Sequence, residues 1–325
     1  MDLGTEQSNN VECPTCKGLG RIPSYDSTIN ESELFEDISF LEPKALIQHE
    51  NRSNSSVTSI GSNLKLLTKM DIESVTDLLP EKAPLDNPKE VIKSILIRIK
   101  NTNPEEHKKA IIDAVQVSRY YQSMLKPYMN LINQKIVHFL NSQRTLNVRL
   151  ACQSAGELFR TMRCTDRPIF DNIVTGLMYR TADKHQNVRM DANWALDKMI
   201  LNITPVSSIK VIANCHHKNS AVKITQLRLL HRATVLADPM KILIGTGLKE
   251  SRQLILKNCV VAVEDANSDI RFMSKKLMQL LMNTCNDNFC SALVHDLKWD
   301  ELRVVEKHLN VEDFKRGAVL KKKNK

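Results

Sequence analysis

Residues 147–159 read NVRLACQSAGELF, and residues 187–199 read NVRMDANWALDKM. Asn-Val-Arg returns after 40 residues, each time followed by apolar residues at 3-4 spacing. An Asn at a helix start can cap free backbone N–H groups. Val then points inward and Arg sits on the first turn, on the loop side. SAVKI at 220–224 and SDIRF at 268–272 repeat the pattern: a capping-type polar residue, a small or branched apolar one, then a cation. The cations are Arg149, Arg189, Lys223 and Arg271, at successive spacings of 40, 34 and 48 residues. Helical repeats of the HEAT and armadillo type have periods of about 40–47 residues. One such helix pair cannot bury its apolar face alone, so pairs stack into a solenoid. The repeat cations then fall on one edge, in a row of loops. Two roles stay open for each cation: a ladder to an Asp of the next repeat, with Asp191 and Asp197 available, or a binding surface along that edge.

The composition agrees. Of 325 residues, 42% are hydrophobic, enough to fill a core, while aromatics at 5% and nine glycines are few for a turn-rich sheet protein. No stretch approaches the ~18–20 uninterrupted apolar residues of a membrane-spanning helix. The opening MDLGTEQSNN has neither a basic nor an apolar leader region, so no secretory leader is expected. Cys152, Cys164, Cys215, Cys259, Cys285 and Cys290 are scattered through helical patterns, which reads as a reducing cytoplasm and not a disulfide framework. Charge is uneven. Residues 1–85 hold 7 basic and 14 acidic side chains, a net of −7, and the remainder holds 39 and 23, a net of +16. The basic part favours an acidic partner surface.

The expected organisation is all-α. Residues 1–84 read as mostly disordered, polar and Ser/Asn-rich. Within them, ESELFEDISFLEP (31–43) and LKLLTKMDIESVTDLL (64–79) are segments that could fold on a partner or serve as plain linker. The helical pattern begins in LDNPKEVIKSILIRI (85–99), stops at NTNPEE (101–106), and continues in helices predicted over about 105–121, 124–141, 146–163, 167–182, 187–202, 205–214, 219–236, 239–249, 252–265, 268–284 and 287–309. In the first, Val91, Ile92, Ile95, Leu96 and Ile99 form one stripe; in the second, Ile111, Ile112, Val115 and Tyr120 face the core. Residues 313–325 form a basic tail ending KKKNK. Trp194 and Trp299 sit in helical patterns and read as core.

Catalytic motifs are missing from the sequence. It has no GxSxG, no HExxH and no phosphate-binding Gly-rich loop. GTGLKE at 245–250 follows a helix and not a strand. In CHHK at 215–218, adjacent side chains on a helix diverge by about 100°, so Cys215, His216 and His217 cannot easily share an ion. The chain is read as a non-enzyme.

The stretches LDNPKEVIKSILIRI, SQRTLNVRLACQSAGELF, NVRMDANWALDKMI with the following TP, and DIRFMSKKLMQLLMN resemble a TOG domain. The similarity is greatest to the C-terminal TOG domains of the crescerin family, the TOG array regulators of axonemal microtubules, and next to CLASP-type TOG domains. It covers about residues 85–312. The resemblance implies an α-solenoid of about six HEAT repeats whose intra-repeat loops bind tubulin along one edge. Those loops would be 103–106, 142–147, 184–188, 217–222 and 267–271. Tubulin or microtubules would be the partner, and the cytoskeleton, including the cilium or axoneme, the location. Because tubulin's surface is acidic, Arg144, Arg149, Lys184, Arg189, Lys218, Lys223 and Arg271 are the implied contacts. One position departs from the family: strong tubulin binders carry Trp-x-x-Arg in the first loop, where this chain has Pro104 and His107. Losing a large aromatic anchor weakens an interface.

VECPTCKGLGRIP at 11–23 forms a separate motif. It resembles the cytosolic motif of the transmembrane protein 106 family and one repeat of the DnaJ-type zinc region. Cys13 and Cys16 would supply half of a tetrahedral zinc site, which a homodimer could complete. An idle or reactive dithiol, or a redox pair, are the other readings. A single TOG-like unit would bind weakly unless such pairing added avidity. The competing functional readings are an α-solenoid adaptor for an acidic protein or peptide, and a nucleic-acid-binding array. The last lacks the aromatic interleaving that single strands use.

Overall fold

The computed structural model describes residues 78–309 apart from 82. They belong to the second of two units into which the chain divides, residues 63–325. The CxxC motif, the segment 31–43, residues 64–77 of the segment 64–79 and the basic tail lie outside the described residues; Leu79, from the stretch read as disordered, is buried in the core, with Leu78 packed against it. The helices are α1 (Pro88–Lys100), α2 (Pro104–Tyr120), α3 (Gln122–Leu125), α4 (Met129–Leu140), α5 (Thr145–Thr161), α6 (Ile169–Arg180), α7 (Gln186–Asn202), α8 (Pro205–Ala213), α9 (Ser220–Leu236), α10 (Pro239–Ile244), α11 (Lys249–Val263), α12 (Ser268–Thr284), α13 (Asn286–Asp296) and α14 (Trp299–His308).

Helices α1/α2, α4/α5, α6/α7, α8/α9 and α11/α12 pack as antiparallel pairs. The first members stack into one layer and the second members into another, with α14 closing the end against α11 and α13 against α12. The described residues thus form an all-α solenoid of the HEAT type. A single apolar core runs through the stack. Ile95, Ile111, Ile132, Phe139, Leu177, Leu196, Leu230, Leu256 and Leu281 are buried in it. Each such side chain contributes about 1.5–3 kcal/mol relative to exposure. A satellite cluster of Leu227, Ala262, Ile270 and Met273 joins α9 to α11 and α12.

Several boundaries differ from expectation for identifiable reasons. The segment 124–141 divides into α3, a 3₁₀ turn over Lys126–Tyr128, and α4. Pro127 has no N–H to donate, which breaks the ladder there. The segment 287–309 divides at Leu297, whose backbone is extended. Helix α10 is cut at Gly245, followed by a 3₁₀ turn, and α11 starts earlier, at Lys249. Tyr120 is 47% exposed and Ile112 only partly buried, while Ile111 and Val115 are core.

The two tryptophans also depart from the core reading. Trp299 is 52% exposed at the first position of α14, where Arg303 lies 5.4 Å from its ring centre. Trp194 is 37% exposed but lays its ring against Gly156 of α5. A Cβ at Gly156 would overlap Trp194 Cζ3, so glycine permits the close approach of α5 and α7. With α7 packed this closely and α2 and α4 on its other sides, every residue of α5 from Asn147 to Phe159 is buried, its polar residues included.

Candidate protein-interaction edge

The five loops that join the members of each pair follow a seven-residue frame. Its first residue accepts a hydrogen bond from the backbone N–H of its third, the N-cap of the next helix. Asn101 Oδ1 accepts from Asn103 at 2.8 Å and Ser142 Oγ from Arg144 at 3.1 Å. Asp183 Oδ1 accepts from His185, His217 Nδ1 from Asn219, and Asp265 Oδ1 from Asn267, each at 3.0 Å. Asn, Asp and Ser side chains make such local turns readily. In three loops the third residue then caps the helix: Asn103 Oδ1 accepts from Glu105 N at 3.0 Å, Asn219 Oδ1 from Ala221 N at 2.8 Å, and Asn267 Oδ1 from Asp269 N at 2.8 Å.

The Asn residues of the two NVR stretches therefore are not the caps. The N-caps there are Arg144 and His185. Asn147 lies in the first turn of α5, buried, and its side-chain N–H bonds Ser142 Oγ at 3.2 Å. Asn187 is the second residue of α7.

The seventh residue of the frame braces the loop. His107 Nε2 lies 2.6 Å from the Asn101 carbonyl. Arg189 Nη1 donates to the carbonyls of Asp183 (2.9 Å) and Lys184 (3.1 Å). Arg271 Nη1 donates to the carbonyls of Asp265 and Ala266, both at 2.8 Å. Lys223 instead reaches the neighbouring loop and pairs with Asp265 Oδ2 at 2.7 Å. In the second loop the seventh residue is Val148, so Arg149 falls one place later. That is a rotation of about 100° around the helix, and at this repeat the closely packed α7 covers the side chain. Arg149 is 7% exposed, and its Nε donates to Asp191 Oδ2 at 2.8 Å. Gln153 donates to the other oxygen of Asp191 at 3.0 Å. Burial pushes the Asp191 carboxyl up despite the arginine beside it. Arg149 thus serves the inter-repeat ladder and leaves the edge. Asp197 also forms a ladder, but with Arg228 and Arg232 of α9.

The loops adjoin in order. The Arg144 charge acts on Glu105 of the first loop, whose carboxyl is held low first by its hydrogen bond from Lys108. Arg180, at the end of α6, donates to the carbonyls of Leu140 and Ser142 in the second loop. Tyr179 and His217 meet ring to ring at 4.7 Å, joining the third loop to the fourth, and Lys223–Asp265 joins the fourth to the fifth. Asp265 is held below the usual carboxylate range by Lys223 and then by the Asn267 N–H. At Asp183, burial alone would raise the pKa, but the His185 N–H and the Arg180 guanidinium outweigh it and the net shift is downward.

The edge is therefore sorted by charge. Arg144, Lys184 and Lys218 are exposed. Arg189 and Arg271 are half-buried, and the acceptors of their hydrogen bonds are neutral carbonyls, which do not cancel the charge. Lys223 and Arg149 are neutralised by carboxylates. Exposed acids sit at the two ends: Glu105 beside Pro104 in the first loop, and Glu264 and Asp269 in the fifth. The positive centre is the second, third and fourth loops. Among the described residues no group of three or more His, Cys, Asp or Glu could hold a metal ion, and no helix is long and apolar enough to cross a membrane.

What the sequence reading missed is the frame itself. Asn101, Ser142, Asp183, His217 and Asp265 are chemically diverse, so no single letter runs through all five. The available signal was a side-chain acceptor two residues before each capping position.

Paired helices, stacked layers and one edge of aligned, braced loops define a HEAT-type α-solenoid. The chain's similarity is to the TOG-domain family. It is 20% identical over 172 residues to TOG array regulator of axonemal microtubules protein 1 of Mus musculus, spanning 52% of this chain and 10% of that protein. The chain thus spans a small part of that relative's length. A TOG domain from C. elegans Zyg9 is similar in structure, with 15% identity, a TM-score of 0.49, and coverage of 82% of this chain and all of that one. A structure described as "TOG-tubulin binding specificity promotes microtubule dynamics and mitotic spindle formation" gives 13% identity, a TM-score of 0.47, and coverage of 71% and 96%. No family model matches the chain.

Proposed function

We propose that the chain binds tubulin or microtubules through its row of intra-repeat loops, with the axoneme as the site of action. The observation that carries this reading is the alignment of Arg144, Lys184, Arg189, Lys218 and Arg271, cations outside the ion pairs of the described residues, on loops held rigid by their own frames. Rigid loops lose little entropy on binding. Exposed cation contacts to an acidic surface are each weak, about 0–1 kcal/mol, and add up along a row. The similarity to a regulator of axonemal microtubules supports tubulin over other acidic surfaces. No catalytic role is assigned. Zinc-mediated pairing through Cys13 and Cys16 would supply avidity and remains part of this proposal.

The test is microtubule co-pelleting of the 325-residue chain at low and moderate salt, beside an Arg144→Glu/Lys184→Glu/Lys218→Glu variant. These three residues are exposed, so the variant leaves the core intact. Salt-sensitive pelleting that the variant loses supports the reading. Failure of the wild type both to pellet and to co-elute with free tubulin refutes it and favours an adaptor for another acidic partner.

A further inference from the structure

Directly after the bracing residue, the frame has an eighth position, the fifth residue of each second helix. Side chains there lean toward the helix N-terminus and so lie over the loops. The five occupants are Lys108, Arg149, Met190, Ile224 and Phe272. Lys108 pairs with Glu105, Arg149 is buried, and Ile224 packs on the satellite cluster of Leu227 and Ile270. Met190 and Phe272 do neither; they are 43% and 56% exposed. Both follow the fully braced version of the frame, DKHQNVRM at 183–190 and DANSDIRF at 265–272. In each, Asp holds the N-cap N–H and Arg bonds two loop carbonyls. Among the five occupants of this position, the exposed large apolar side chains are the two that follow the most tightly braced loops; Leu146, 61% exposed, lies on the second loop but outside this position.

We infer that Met190 and Phe272 are the apolar anchors of the edge and the residues that set its specificity. This rests on the tubulin reading above and adds to it. The first loop, with Pro104 in place of an aromatic, offers no large apolar anchor, and the apolar contact falls to the third and fifth loops. The occupant is tubulin, an acidic protein surface that meets Lys184, Arg189 and Arg271 beside the two anchors. Interface energy concentrates in a few apolar or aromatic residues that become fully desolvated, with neighbouring polar contacts excluding water. Phe272 and Met190, exposed and each next in sequence to an arginine that braces its loop, are the candidates for that role. Charge contacts fade with salt, whereas apolar anchoring does not.

The experiment is microtubule co-pelleting of the full chain at low and at moderate salt, comparing wild type, Phe272→Ala/Met190→Ala, and Ile244→Ala. Ile244 is 57% exposed at the end of α10, away from the paired-helix loops, and controls for loss of an exposed apolar side chain. Thermal melts confirm that each variant is folded. The double variant should bind about tenfold more weakly or worse at both salts, with Ile244→Ala unchanged. Wild-type binding with an unchanged double variant overturns the anchor assignment and leaves the loop row standing. Equal weakening in all variants overturns the assignment too. No binding by the wild type overturns both readings together.

Discussion

The pair Arg149–Asp191 decides whether the repeating cation is a stability element or a binding element in the second repeat. Its side chains are 9% and 1% exposed, and the ion pair closes at 2.8 Å. Gln153 satisfies the second carboxylate oxygen. Replacing Asp191 with Ala leaves a buried guanidinium whose Nη2 already has no hydrogen-bond partner. Breaking a buried pair from one side costs about 3–5 kcal/mol, because an uncompensated charge stays behind. For a unit of this size, a loss of about 1 kcal/mol lowers the melting midpoint by ~2–4 °C. Asp191→Ala should therefore melt on the order of 10 °C lower. Removing both charges with Arg149→Met/Asp191→Leu should recover most of that, since apolar replacement of a buried pair is often neutral or better. Thermal and urea unfolding of wild type, both single variants and the double variant give the coupling directly. Single variants that lose less than about 1 kcal/mol, or a double variant that sums the singles, would refute the ladder. The outcome also bears on binding assays: charge reversal at Arg149 should unfold the second repeat rather than report on an interface.

Other consequences follow from the same geometry. Asn267 caps α12 with two backbone donors, at 2.8 and 3.4 Å, so Asn267→Ala should cost ~1 kcal/mol and a few degrees of melting temperature. Gly156→Val forces Trp194 off α5 and should cost ~1–3 kcal/mol, with a shift in tryptophan emission as the ring moves. An unchanged spectrum would contradict the packing. Asp265 has a folded-state pKa below its ordinary 3.8, so its contribution is present above that value and is lost as pH falls through the folded one. The stability gap between wild type and Asp265→Asn should accordingly close on acidification below about pH 4, as followed by melts across pH.

Much of this protein was legible from residue spacing. The 3-4 apolar stripes fixed helix type and approximate extent, because a core-facing helix must place its apolar residues on one side. The recurring Asn-Val-Arg pattern disclosed the period, since a repeat unit buries its face only against a copy of itself. The edge carrying the cations followed from that period. Which cations remain on the edge did not follow. Arg149 and Arg189 both stand third in Asn-Val-Arg, yet one is buried on Asp191 and the other braces a loop. A single-residue shift of the helix start rotates a side chain by about 100°, and that start is set by the turn at Ser142, not by the repeated letters. The burial of all of α5, the exposure of Trp299, and the outward set of Met190 and Phe272 were decided in the same way. Each depends on how closely a neighbouring helix approaches, as Gly156 allows α7 to approach α5. Periodicity records which face is apolar; only the packed neighbours determine which side chains of that face stay covered.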